Sequence, residues 1–187
     1  DLPVVQRDNE YYLSHNYFGE WDSNGTVFLN EMNVFYLRDR ILLLHGHNMR
    51  SGAMFGTLAK YEKADYAFAH ALLTFRTLYE EEASYYMPVA AFHASMLEGE
   101  AGYFDVTPMN FDTEEALQAY LDAALKRSAW TSPAEVSTQD ELLMLLTCSY
   151  YHADGRFVLL CRRMREGETP KEMQRLFDEA ALNSSAE

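Results

Sequence analysis

Apolar positions in this chain fall mostly in short runs bounded by turn residues. Asp22, Ser23, Asn24 and Gly25 read as a turn leading into a strand over residues 26–29. The run 41–44 is wholly apolar and predicts a buried strand. Residues 72–79 and 83–92 flank Glu80, Glu81 and Glu82 as a hairpin would, and Pro88 marks an edge or a bulge in the second arm. Residues 142–147 and 157–164 predict another strand pair, joined by the loop 149–155. Helical periodicity is rarer. Asp112 with Glu115 looks like a capping box, followed by Leu117, Tyr120, Leu121 and Ala124 at helical spacing. Met54, Phe55, Leu58 and Tyr61 predict a short helix, and Thr169, Pro170 and residues 171–182 a capped terminal one.

Many short strands with few helices predict a mainly β (α+β) fold, and 187 residues fit a single domain over 1–187. No apolar run approaches the roughly 18 residues of a membrane span. The chain opens on Asp1 with no signal-type segment after it, so it is expected to be a fragment without its N-terminal targeting segment. The 29 acidic residues against 15 basic give a net charge of −14, which argues against nucleic-acid binding. The one dense basic block is Arg162, Arg163 and Arg165. Of the two cysteines, Cys161 lies inside an apolar run, where a buried free thiol is the default, so a disulfide with Cys148 is not expected.

The chemistry gathers at strand ends. Cys148 closes one predicted strand and Arg156 opens the next, so a hairpin brings a thiol beside a permanent cation eight positions further along. The segment from His45 to Met49 closes the 41–44 strand and supplies imidazoles for moving protons. This trio points to a cysteine acyl-transfer enzyme. Spacing does not choose between His45 and His47, which share a face in an extended strand. His152 lies in the loop between Cys148 and Arg156 and reads as a solvated residue. Asp154 is the candidate for a papain-like triad, although its neighbours Ala153 and Gly155 read as a turn. No third ligand accompanies the two histidines at metal-binding spacing, so neither a metal nor a cofactor is expected.

These residues carry a family resemblance. "LLLHGHNMRSGAMFGTLAKY" resembles the Tyr-Gly-His-Asn-Met, Gly, Met-Phe signature of class B sortases, and "LLTCSYYHADGRFVLLCRRM" their Thr-Leu-Ser-Thr-Cys segment with its downstream Arg. The opening "PVVQRDNEYYLSHNYFGEWDSNGTVFLNE" is similar to the start of the same catalytic domain, so the resemblance runs from residue 3 to about 165.

The resemblance implies a closed sortase-type β-barrel of about eight strands with short peripheral helices, one of them before the cysteine strand beside the substrate groove. Residues 166–187 would form a C-terminal helical extension. It assigns Cys148 as nucleophile, His47 as proton donor and acceptor, Arg156 as the cation at the thiolate and oxyanion, and His45 as a hydrogen-bonded packing residue. Asn9, Leu13, Leu146, Thr147 and Ser149 fall at positions bordering the groove. Leu146 and Ser149 depart from the Ser and the acidic residue usual there, which puts the preferred motif in doubt. The implied reaction is cleavage of a C-terminal sorting motif after Thr and transfer of the secreted protein to an amino group of a peptidoglycan precursor. The implied setting is the outer face of a Gram-positive membrane, where a monomer would be held by a signal anchor absent from this chain. A hydrolytic cysteine endopeptidase, a pilin-polymerising sortase and a non-catalytic wall-binding module are the alternatives.

Overall fold

The computed structural model describes residues 1–34, 36–149, 151 and 154–184. In chain order the elements are β1 (Val4–Gln6), a 3₁₀ turn (Tyr11–Leu13), β2 (Val27–Leu29), β3 (Ile41–His45) and a second 3₁₀ turn (Leu58–Glu62). They continue with α1 (Ala64–Ala69), β4 (Leu73–Phe75), β5 (Ser84–Ser95), α2 (Glu114–Arg127), β6 (Leu142–Cys148), β7 (Gly155–Arg163) and α3 (Pro170–Ser184). The strands form one curled sheet in the order β1-β2-β3-β6-β7-β5-β4. Strands β1 and β2 run parallel, as do β3 and β6, and the other pairs are antiparallel.

The mainly β, barrel-like architecture with short outer helices is therefore present. Among the described residues it has seven strands rather than about eight, and the ladder stops at β1 and β4 instead of closing. Those edge strands are three residues each, short enough to leave little unpaired backbone at the sheet's margins.

Both faces of the sheet are covered, which explains the unbroken apolar run in β3. Leu42, Leu44, Leu143, Leu145, Leu159 and Cys161 pack on one face with Phe68, Trp130 and Phe177. Their neighbours Ile41, Leu43, Leu142, Met144, Leu146, Val158 and Leu160 point the other way, under Phe104, Met109, Leu117 and Leu121. Successive strand residues alternate faces, so each layer takes every second side chain.

Some elements follow the sequence pattern and others differ from it. Pro88 stands in β5, which lies between β7 and β4; the register shifts between Pro88 and Ala90, and that bulge accommodates a residue with no N–H to donate. Helix α2 is capped by Thr113, whose Oγ1 accepts from the Ala116 amide at 3.1 Å, so Asp112 and Glu115 form no capping box. Met54 has φ +51° and starts no helix; the chain instead makes the 3₁₀ turn and then α1, which the pattern missed. Thr169 caps α3 as expected, bonding the Glu172 amide and carboxylate with Pro170 in the first turn. This helix is part of the core: Phe177 is fully buried, edge-to-face with Phe68 at 5.6 Å.

The basic block is internally neutralised. Arg162 is buried and bidentate with Glu168 at 2.7 Å on both arms, Arg163 meets Glu141 and Glu80, and Arg165 meets Asp140. These guanidiniums are committed to carboxylates.

Candidate active site

The parallel pairing of β3 with β6 sets the site's position. His45 is in register with Leu146, so two residues further on lie His47, in the turn just past β3, and Cys148, the last residue of β6. Cys148 is the Cα partner of Arg156 across the antiparallel β6–β7 ladder. The N–H of Ser149 donates to the Gly155 carbonyl at 2.9 Å, adding one more rung at the open end of that hairpin. Thiol, imidazole and guanidinium thus emerge at one end of the sheet from three adjacent strands.

The turn carrying His47 is fastened to the cysteine strand. The Gly46 amide donates to the Leu146 carbonyl at 3.2 Å, and Thr147 Oγ1 donates back to the Gly46 carbonyl at 2.7 Å. Asn48 Nδ2 donates to the carbonyl of Cys148 itself at 2.9 Å. Gly46 is needed because a Cβ there would stand 2.7 Å from the Phe55 ring. Phe55 in turn donates its amide to the His47 carbonyl, closing the turn.

The two histidines are chemically distinct. His47 Nε2 lies 2.7 Å from the Leu13 carbonyl; a carbonyl only accepts, so Nε2 carries a proton and Nδ1 is the atom left for proton exchange. His45 is stacked on Phe28 at 5.0 Å, and the Asn30 amide lies 3.0 Å from its Nε2. Burial and then the charge of Arg156 hold its pKa down at about 4. His45 is therefore neutral at physiological pH and serves as a packed, hydrogen-bonded residue.

Cys148 is exposed, while Cys161 is fully buried in the core; both are free thiols, and burial pushes the Cys161 thiol far up. Arg156 is part-exposed, and its Nη1 donates to Asp154 Oδ1 at 2.9 Å and to the Gly155 carbonyl at 3.0 Å. Asp154 thus pairs with the arginine, and no bond joins it to His47. Its φ of +47° turns the chain into β7.

The residues expected to border a groove fall into two groups. Leu13 is 42 % exposed, Ser149 is part-exposed but commits its hydroxyl to His93 at 2.6 Å, and Asn9 braces Glu31 through both its amide oxygen and its nitrogen. Leu146 and Thr147 are corrected: they are 4 % and 2 % exposed, Leu146 packing in the core and Thr147 spending its hydroxyl on Gly46, so they support the site from beneath instead of lining it. His152 and Ala153 lie outside the described residues. Asn48 carries a sequence signal only as part of the His-Asn-Met signature, and nothing in the sequence points to Asn30. Two surface clefts, about 220 Å³ beside the start of α2 and about 620 Å³ between α1 and α3, include none of these residues. Among the described residues no cluster of His, Cys, Asp or Glu is arranged to hold a metal.

No protein-family model matches the chain. The chain is 30% identical over 162 residues to Sortase B of Listeria monocytogenes, a match covering 85% of this chain and 63% of that protein. The structure of Clostridium perfringens sortase B is 26% identical and superposes with a TM-score of 0.76, covering 88% of this chain and 87% of the other. A Staphylococcus aureus sortase B-substrate complex superposes with a TM-score of 0.77 at 21% identity, covering 88% and 74%, a likeness of fold.

Proposed function

Given that the chain belongs to the class B sortases, we propose that it is a cysteine transpeptidase joining a peptide acyl group to an amine, with Cys148 as nucleophile. The observation that carries this reading is the register of β3, β6 and β7, which sets Cys148 opposite Arg156 and level with the His47 turn. The reading is for a domain that spans 63% of the Listeria relative's length.

In this reading the Cys148 thiolate attacks the carbonyl carbon of the Thr in a sorting motif. The carbonyl electrons move to oxygen, where the Arg156 guanidinium donates to the developing oxyanion. The C–N bond then breaks, and Nδ1–H of protonated His47 gives its proton to the leaving amine. An acyl thioester remains on Cys148. An incoming amine attacks the thioester and passes a proton to Nδ1, and the thiolate leaves, restoring the starting state. Throughout, the Leu13 carbonyl holds Nε2–H and keeps the ring aimed. For Arg156 to reach a substrate oxygen, Asp154 shares or yields one N–H.

The substrate class is a C-terminal sorting peptide of secreted proteins, and the acceptor an amine of a peptidoglycan precursor, placing the enzyme on the outer membrane face of a Gram-positive cell. Support for the peptide comes from the S. aureus sortase B solved as a substrate complex. The test is a sorting-peptide library incubated with and without an amine acceptor. Amine-dependent conjugate is expected; cleavage indifferent to amine would make the protein a hydrolytic endopeptidase, and no cleavage at all would reject catalysis.

A further inference from the structure

We infer that His93 is a positioning residue that clamps the Cys148–Arg156 hairpin from behind through a Glu62–His93–Ser149 chain. His93 is on β5, two strands from Cys148, and sequence gave no reason to single it out from six histidines.

Register shows which side it works from. Cys148 pairs with Arg156, and Arg156 with Ala94; Thr147 pairs with Phe157, and Phe157 with His93. Neighbouring residues of a strand point to opposite faces. His93 is therefore on the face away from the thiol and guanidinium. Its Nδ1 is 2.6 Å from Ser149 Oγ, and its Nε2 is 3.5 Å from Glu62 Oε1, within ion-pair range. A carboxylate only accepts, so an N–H at Nε2 faces Glu62, and Nδ1 shares a hydrogen bond with the Ser149 hydroxyl on the other side of the ring. The ring is stacked on Tyr151 at 4.7 Å and meets Phe157 edge-on at 5.1 Å, and its side chain is 16 % exposed.

What the clamp joins gives it a function. Ser149 follows the nucleophile directly and forms the last rung of its hairpin with Gly155. Glu62 ends the 3₁₀ turn that continues from the His47 turn. The chain of contacts thus ties the segment bearing the general acid to the hairpin bearing the nucleophile and the oxyanion donor. Asn48 makes the same connection directly, to the Cys148 carbonyl. A displacement of about 1 Å at a reacting group can cost on the order of 10²-fold in rate, so the clamp acts on turnover and leaves peptide affinity alone.

The inference rests on the transpeptidase reading and is tested by a double-mutant cycle on the full chain with His93→Ala, Ser149→Ala and the pair. Peptide-cleavage kcat and KM, thermal unfolding, and the rate of Cys148 alkylation by neutral iodoacetamide are measured. Each single variant is expected to lose about tenfold or more in kcat with KM within about twofold, and the double to be no worse than the poorer single. Alkylation should slow to one common rate in all three. Ser149→Ala carries the test if His93→Ala does not fold. Unchanged kcat and alkylation in Ser149→Ala, losses that multiply in the double, or a change confined to KM would overturn the clamp. If the wild type cleaves no peptide, the transpeptidase reading falls, and the alkylation series still decides the clamp.

Discussion

His47 Nε2 donates to the carbonyl of Leu13 at 2.7 Å, so a main-chain oxygen from the first 3₁₀ turn fixes which nitrogen of the imidazole is free for proton transfer. The neighbouring His45, with its pKa held at about 4, is excluded from that work.

Losing a general acid typically costs about 10²- to 10⁴-fold. His47→Ala is expected to fall by that much in kcat and His45→Ala by far less. His47→Gln separates aim from proton transfer, since its amide can still donate to Leu13 but moves no proton; it should be as inactive as the alanine variant. Steady-state kinetics on a cleaved peptide decide, and the reverse order of the two histidines would transfer the role to His45.

Arg156 presents a planar fork where lysine presents a point charge. Arg156→Lys should lose roughly 10²-fold in kcat, the size of a missing oxyanion donor. Asp154→Asn should change kcat by less than about fivefold, because an exposed ion pair is worth about 1 kcal/mol or less. Near-normal turnover in Arg156→Lys would mean that charge alone, without direction, is what the site needs.

His45 also makes stability depend on pH. Its folded pKa of about 4 is below its ordinary 6.5, so the unfolded chain binds the proton first as pH falls. The stabilisation is complete above about 6.5, is lost between 6.5 and 4, and falls no further below 4. Denaturant titrations should show His45→Phe, which keeps the stack on Phe28, with a flatter pH profile across that window than the wild type, by about 3 kcal/mol. Parallel profiles would show that His45 is not the group responsible.

The terminal helix belongs to the domain. Phe177 fills a fully buried site against Phe68, and truncating a buried aromatic costs about 3–5 kcal/mol. Phe177→Ala should lower the free energy of chemical unfolding by an amount in that range, and a loss below about 1 kcal/mol would make α3 an appendage.

Local signals were enough to find the strands that build the site. The apolar runs that became β3, β6 and β7 stood out because each is covered on both faces, and Cys148 and Arg156 were placed together by the simple geometry of a hairpin. What the pattern missed depends on long-range register. Leu146 and Thr147 sit next to the nucleophile in sequence and point to opposite faces of the sheet, but both faces are covered there: Leu146 packs in the core and Thr147 bonds Gly46. His93 is 55 positions before Cys148, and only the β5–β7–β6 order brings it under Ser149. The same holds for Leu13, whose backbone oxygen has no side-chain signature at all. The Asp112–Glu115 box failed because Thr113, between them, is the better-placed cap.

Transpeptidation by this site requires Cys148 to carry the acyl group, and intact-mass spectrometry of the protein quenched during turnover with a cleaved sorting peptide reads that bond. The expected result is an adduct equal to the peptide's N-terminal acyl portion, mapped to Cys148, sensitive to hydroxylamine, absent in Cys148→Ala and retained in Cys161→Ala. An adduct that persists in Cys148→Ala, or peptide cleavage by that variant at a substantial rate, would show that Cys148 is not the nucleophile.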